Sequence, residues 1–171
     1  MRTVAWALTL TLAAPCSIAA QDIQESFELG LAAGGFGIID GSFLFRIPGP
    51  AFQGSPALYA RFFTSENIFI EPEFGLFFVE GDYTVEMGFG VGYRFTPEAE
   101  NGTFYATGGI GIARTDAGPV SNNNVAPGVA GGYWLPLFDR AAAASVEARY
   151  RHWTDPDFAD FTVVLKVAVL R

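Results

Sequence analysis

The segment 84–95, TVEMGFGVGYRF, alternates without a break. Val85, Met87, Phe89, Val91, Tyr93 and Phe95 form one set; Thr84, Glu86, Gly88, Gly90, Gly92 and Arg94 form the other. A period of two places the sets on opposite faces of an extended strand, whereas a helix would mix them. The same alternation recurs over 25–34, 55–64, 67–80, 102–114, 124–135, 141–153 and 160–171, with turn chemistry between the segments. With 83–95 this predicts eight antiparallel strands, no helix and one domain over residues 21–171.

Alternation alone does not say which face is inside. The apolar set includes Phe27, Leu29, Leu31, Leu58, Phe62, Ile68, Ile70, Phe74, Leu76, Phe78, Phe104, Ile110, Ile112, Val125, Val129, Tyr133, Val146, Tyr150, Phe161, Val163, Leu165, Val167 and Val169. Such bulk would overfill an eight-strand barrel, whose interior barely accommodates its own side chains. The opposite set is rich in glycine (Gly88, Gly90, Gly92, Gly109, Gly111, Gly128, Gly132), unlike a water-facing surface. The predicted fold is therefore an eight-stranded antiparallel up-and-down transmembrane β-barrel, with glycines inside and aromatics toward lipid. Each segment is long enough to cross a bilayer at a tilt.

The polar set carries Glu28, Glu71, Glu73, Glu86 and Glu147 against Arg61, Arg94, Arg149, Arg151 and Lys166. An unpaired ion in that interior would cost about 3–5 kcal/mol, so matched signs predict a structural charge network and no wide solute pore. Pro72 and Pro127 fall within strands and predict a bulge or a lost ladder bond at each. Aromatics near the inner strand ends (Phe62, Phe63, Phe69, Tyr93, Phe95, Phe104, Tyr105, Tyr133, Trp134) predict an interfacial girdle.

The connections differ by side. The inner ones are Ser65-Glu66, 96–101 and 136–140; the outer ones are 35–54, 81–82, 115–123 and 154–159, so two outer loops are long. The first contains the apolar run SFLFRIPGPAF. Residues 1–20 read as a secretory signal: Arg2, an apolar run over 4–14, and small residues before Gln21. Cys16, the sole cysteine, would leave with it, so neither a disulfide nor a cysteine metal site is expected. Formal charge is −8 over the whole chain, unsuited to binding nucleic acid. With one histidine, no transition-metal site and no cofactor are expected.

The strand pattern, the leader, and the phrases GSPALYARFF, FYATGGIGIA and VEARYRHW resemble the small OmpA/OmpX-like outer-membrane β-barrel proteins, also called the porin family. The resemblance implies a bacterial outer-membrane location in a Gram-negative envelope. It also implies contact with outer-membrane lipid and lipopolysaccharide, a monomer, and an unknown surface ligand at the outer loops. Such barrels usually end on an aromatic, whereas this chain ends Val169-Leu170-Arg171, which predicts an atypical assembly signal.

The segment SVEARYRHWTDPDF also resembles the seventh strand and following loop of the outer-membrane lipid A 3-O-deacylases. That resemblance implies a lipid-facing esterase site with His152 as base and Thr154 in the place of the family's serine. Asp155 stands for the usual Asn, and Asp157 or Asp160 for the acid. The alternative places His152 and Trp153 in an upper interfacial belt. The aspartates of TDPDFAD could hold Ca²⁺ or Mg²⁺ or simply be solvated.

Overall fold

The computed structural model describes residues 27–39, 42–46, 57–79, 82–117, 120–154 and 157–171. The expected signal peptide, half of the first outer connection (40–41 and 47–54) and Asp155 lie outside them. The strands are β1 (Phe27–Ile39), β2 (Ser42–Arg46), β3 (Ala57–Phe63), β4 (Ile68–Val79), β5 (Asp82–Arg94), β6 (Thr103–Ala117), β7 (Val120–Leu137), β8 (Ala142–Thr154) and β9 (Asp157–Leu170).

Neighbouring strands pair antiparallel, and β1 also pairs with β9, which closes the sheet on itself. Nine segments make eight staves because β1 pairs with β3 through Phe27–Ala32 and with β2 through Gly35–Ile39. At the seam, Phe27 and Arg171 exchange two backbone hydrogen bonds of 3.0 Å.

Burial is inverted relative to a water-soluble protein. Leu29, Met87, Phe89, Val91, Phe104, Val129 and Val167 are each 50% exposed or more, while Glu28, Arg61, Glu147 and Lys166 are at most 1% exposed. A continuous apolar exterior of this kind is unfavourable in water and requires a hydrocarbon surround. Ladder closure satisfies the backbone polar groups that lipid could not.

Of four local expectations, three are corrected and one holds. Residues 115–123 do not form a long loop: β6 runs to Ala117 and β7 begins at Val120, in register from Ala117↔Val120 to Thr103↔Trp134. Second, of the bulge or lost ladder bond expected at Pro72 and Pro127, each proline shows the lost pairing, and the register shift of β1 against β9, between Ala32 and Gly35, lies at neither. At Pro72 the β3–β4 register is the same on both sides, Tyr59↔Glu73 and Phe62↔Ile70, with the ladder interrupted between them. At Pro127 the β7–β8 ladder simply ends, its last pair being Gly128↔Arg151. Above it, the Thr154 hydroxyl donates to the Val125 carbonyl at 3.1 Å, a side-chain substitute for the missing rung.

The third expectation, the aromatic girdle, is corrected because adjacent aromatics must point to opposite faces. Phe62, Tyr93, Phe95, Phe104 and Tyr133 are on the exterior, but Phe63, Phe69, Tyr105 and Trp134 turn inward and pack with Ala143 and Leu170. They form a stopper at the inner end, with Phe69 against Phe63 (5.7 Å between centroids) and Tyr105 (5.9 Å). The Arg94 guanidinium lies 4.2 Å from the Phe63 ring centroid and donates to the Glu66 carbonyl at 2.9 Å. Fourth, Trp153 is not in an outer belt. It is fully buried against Ala113 and Ala126, and its indole Nε1 donates to Asp160 at 2.9 Å.

Gly92 makes the stopper possible, because a Cβ there would overlap the Phe69 ring. A Gly92→Val variant is expected to lose about 1–3 kcal/mol through overpacking. Gly90→Ala, whose Cβ would meet its nearest neighbour at 3.6 Å, is the tolerated control. Urea titration of the lipid-reconstituted barrels checks this; equal midpoints would mean the ring has room to move.

Candidate functional site

Alternation delivers one inward side chain from every second residue, and the stagger of the barrel brings charges distant in sequence together. Lys166 of β9 is the hub. Its Nζ lies 2.6 Å from Glu71 Oε1, 3.0 Å from Glu73 Oε1 and 3.0 Å from Glu147 Oε2. Oxygens of these three carboxylates lie within 4.8 Å of one another, an arrangement that could otherwise hold a metal ion. The lysine ammonium takes that place.

Around the hub the pairing is dense. Arg149 grips Glu73 through two bonds of 2.7 Å and reaches Glu147 at 2.6 Å. Such bidentate pairing fixes orientation as well as charge. Arg61 donates to Glu71 through Nε and lies 3.5 Å from Glu28, with its guanidinium 4.4 Å from the Tyr105 ring centroid. Tyr105 donates its hydroxyl to Glu147 at 2.9 Å. Towards the outer end Arg151 forms a second group, with Glu86 at 2.5 Å and both oxygens of Asp160 at 3.1 and 2.9 Å. It thereby links β8, β5 and β9 across the lumen.

All ten charged residues expected inside do face inward, but the expected balance of five against five is incomplete. Asp160 is a sixth interior acid, 1% exposed. The signal was present in the sequence: Phe161 belongs to the apolar face, so its neighbour points inward. This removes Asp160 from any exterior site.

Beside the network lies a small open-sided cavity of about 70 Å³. Its lining includes Glu73, Glu86, Arg149 and Arg151 together with Gly88, Gly90, Gly109 and Gly111.

At the outer rim, His152 and Thr154 share the exterior face, both exposed. His152 Nε2 lies 3.2 Å from Asp157 Oδ1, so the histidine and one expected acid do meet. The Thr154 proton is committed elsewhere, to the Val125 carbonyl at 3.1 Å. A nucleophilic hydroxyl has to pass its proton to the base, and this rotamer aims it at the backbone.

No family model and no curated protein sequence matches the chain. Among solved structures it is similar to Neisserial surface protein A, at 12% identity and a TM-score of 0.59, covering 84% of this chain and 95% of that one. It is also similar to the N-terminal β-barrel domain of Pseudomonas aeruginosa OprF, at 7% identity and 0.56, covering 84% and 98%. A third is Ail, the attachment invasion locus protein of Yersinia pestis, at 16% identity and 0.50, covering 86% and 97%. The fold is that of the small eight-stranded outer-membrane barrels.

Proposed function

We propose that this chain is a non-enzymatic barrel of the bacterial outer membrane, acting in envelope integrity or surface contact. It would be a monomer in contact with outer-membrane lipid and lipopolysaccharide. The observation that carries this reading is the interior: every large inward charge is held by a partner, and an aromatic stopper closes the inner end, so the lumen is a strut rather than a conduit. The surface element best suited to contact is the β6–β7 hairpin, whose strands are the longest at 15 and 18 residues. Among the described residues, β7 above Gly128 pairs with β6 alone. Backbone groups along such an edge favour an extended partner. Ail, which is similar in fold, is an attachment protein by its own description.

The second reading, a lipid A esterase, rests on the His152–Asp157 contact. One experiment separates the two. Outer-membrane fractions would be extracted with detergent and checked for heat-modifiable migration. The purified barrel would then be incubated with lipid A and released acyl chains weighed by mass spectrometry. No release is expected. Release abolished by His152→Ala and by Thr154→Val would replace the first reading with the second. Recovery of the protein in the soluble fraction without detergent would remove both.

A further inference from the structure

The hairpin that joins β7 to β8 at the inner end is built against the preferences of its own residues. Its last ladder pair is Leu137↔Ala142, and the Ala141 N–H donates to the Phe138 carbonyl at 3.0 Å to close the turn. Phe138, Asp139 and Arg140 have φ values of 52°, 53° and 65°, left-handed residues in a row with no glycine among them. In that region Cβ crowds the following carbonyl oxygen. Aspartate tolerates it through a short polar side chain; phenylalanine and arginine have no such relief. Glycine or asparagine is the usual choice where a hairpin turn needs positive φ. A second bond, from the Leu170 N–H to the Ala141 carbonyl at 3.1 Å, ties the turn to the end of β9.

Strained backbone persists where something else outweighs it. Packing of Phe138 within the chain does not supply this, because the residue is 81% exposed, the most of any large hydrophobic residue among those described. Whatever shelters the ring lies outside the protein. Its surroundings identify the source. Tyr133 and Leu135 lead into the turn along β7, and Val169 flanks it on β9, all on the exterior that faces hydrocarbon. The apolar band therefore runs off the strands into this turn. At the other two inner turns it stops: residues 64–67 and 96–101 carry Glu66, Glu98 and Glu100 and no Leu, Ile, Val or aromatic side chain.

We propose that the 138–140 turn is a lipid-inserting element, with the Phe138 ring seated in the interfacial layer of the inner leaflet and Asp139 and Arg140 at headgroup level. The strained backbone is the means of carrying a ring past the end of the ladder. The β7–β9 side of the barrel then sits deeper in the bilayer than the sides closed by the acidic turns. The partner is a phospholipid surface, which shelters a single aromatic ring without a shaped pocket. This rests on the outer-membrane reading above and adds to it the place where one turn engages the inner leaflet.

The test places a single spin label on the full barrel, purified from outer membranes and reconstituted in phosphatidylethanolamine/phosphatidylglycerol vesicles. The label sites are Phe138→Cys, Phe89→Cys in mid-strand and Glu98→Cys in an acidic inner turn, each in a Cys16→Ser background. Relaxation by oxygen, which concentrates in lipid, is compared with relaxation by a water-soluble nickel chelate. Oxygen is expected to dominate at 138, as at 89, and the chelate at 98. A label at 138 that behaves like the one at 98, while 89 stays in lipid, would assign the ring to water or to a water-soluble partner. That result overturns this inference and leaves the membrane reading standing; labels at 89 and 138 both in water would remove the two together. Because a label adds bulk of its own, urea midpoints of unlabelled variants in the same vesicles give a second reading. Asparagine suits positive φ, so Phe138→Asn eases the backbone while deleting the ring. Its midpoint is expected to fall; no fall would mean that the ring gains nothing from lipid and would overturn the proposal. Asp139→Gly relieves the turn and keeps the ring, and should raise the midpoint. An unchanged or lower midpoint there would show that the turn carries no strain and needs no outside partner, with the same consequence.

Discussion

Lys166→Met is expected to destabilise the barrel by about 3–5 kcal/mol, the usual penalty for removing one partner from a buried ionic group. Methionine nearly preserves the volume, so the loss is electrostatic. Glu71, Glu73 and Glu147 would keep Arg61 and Arg149, but their oxygens, within 4.8 Å of one another, would lose the ammonium that holds them together. Like charges at that range in a weakly screened interior repel strongly. Folding in lipid vesicles, followed by gel shift against urea, reads the effect. The diagnostic partner is the double variant Lys166→Met/Glu147→Gln, which removes one excess charge and should recover part of the loss. If the double is as unstable as the single, or the single is neutral, the hub contributes little and the surrounding arginines suffice.

Phe89→Arg should produce a loss of similar scale, about 2–4 kcal/mol, the cost of placing an arginine at the lipid midplane of a barrel. Phe89 sits in the middle of β5, 51% exposed, beside the exposed Met87 and Val91 and opposite Ile110 on β6. In water the same substitution would replace an exposed apolar ring with a soluble side chain and be nearly neutral. A graded series makes the test sharper. Arginine at Phe95, at the inner end of the strand, should cost much less than at Phe89, because the headgroup region can solvate it. Equal small effects along the whole series would argue that this surface faces water and would remove the membrane reading.

The parts of this fold that alternate were legible in the sequence, and the parts set by pairing were not. A period of two in TVEMGFGVGYRF assigns every residue to a face, and the large apolar exterior follows from volume alone. Where that rule was relaxed in favour of sequence proximity, the expectation failed. Grouping Phe62 with Phe63, or Tyr133 with Trp134, hid a stopper that strict parity would have revealed. The same neglect put Trp153 outside and left Asp160 uncounted. The hairpin tip failed for a different reason: Gly118-Pro119 and the three asparagines 122–124 have turn chemistry, yet the ladder with β6 carries through the asparagines. The ion pairs were unreadable in detail because Arg149 and Glu73 are 76 residues apart, and Lys166 and Glu71 are 95. Their meeting depends on barrel stagger, which no local pattern encodes.

The aromatic stopper gives the molecule two unequal ends. Phe69, Tyr105 and Trp134 are 0–2% exposed, so solvent on the inner side does not reach the middle of the barrel. Among the described residues the barrel is therefore sealed from below, and what lies on the inner side of the membrane has no passage upward through its packed rings.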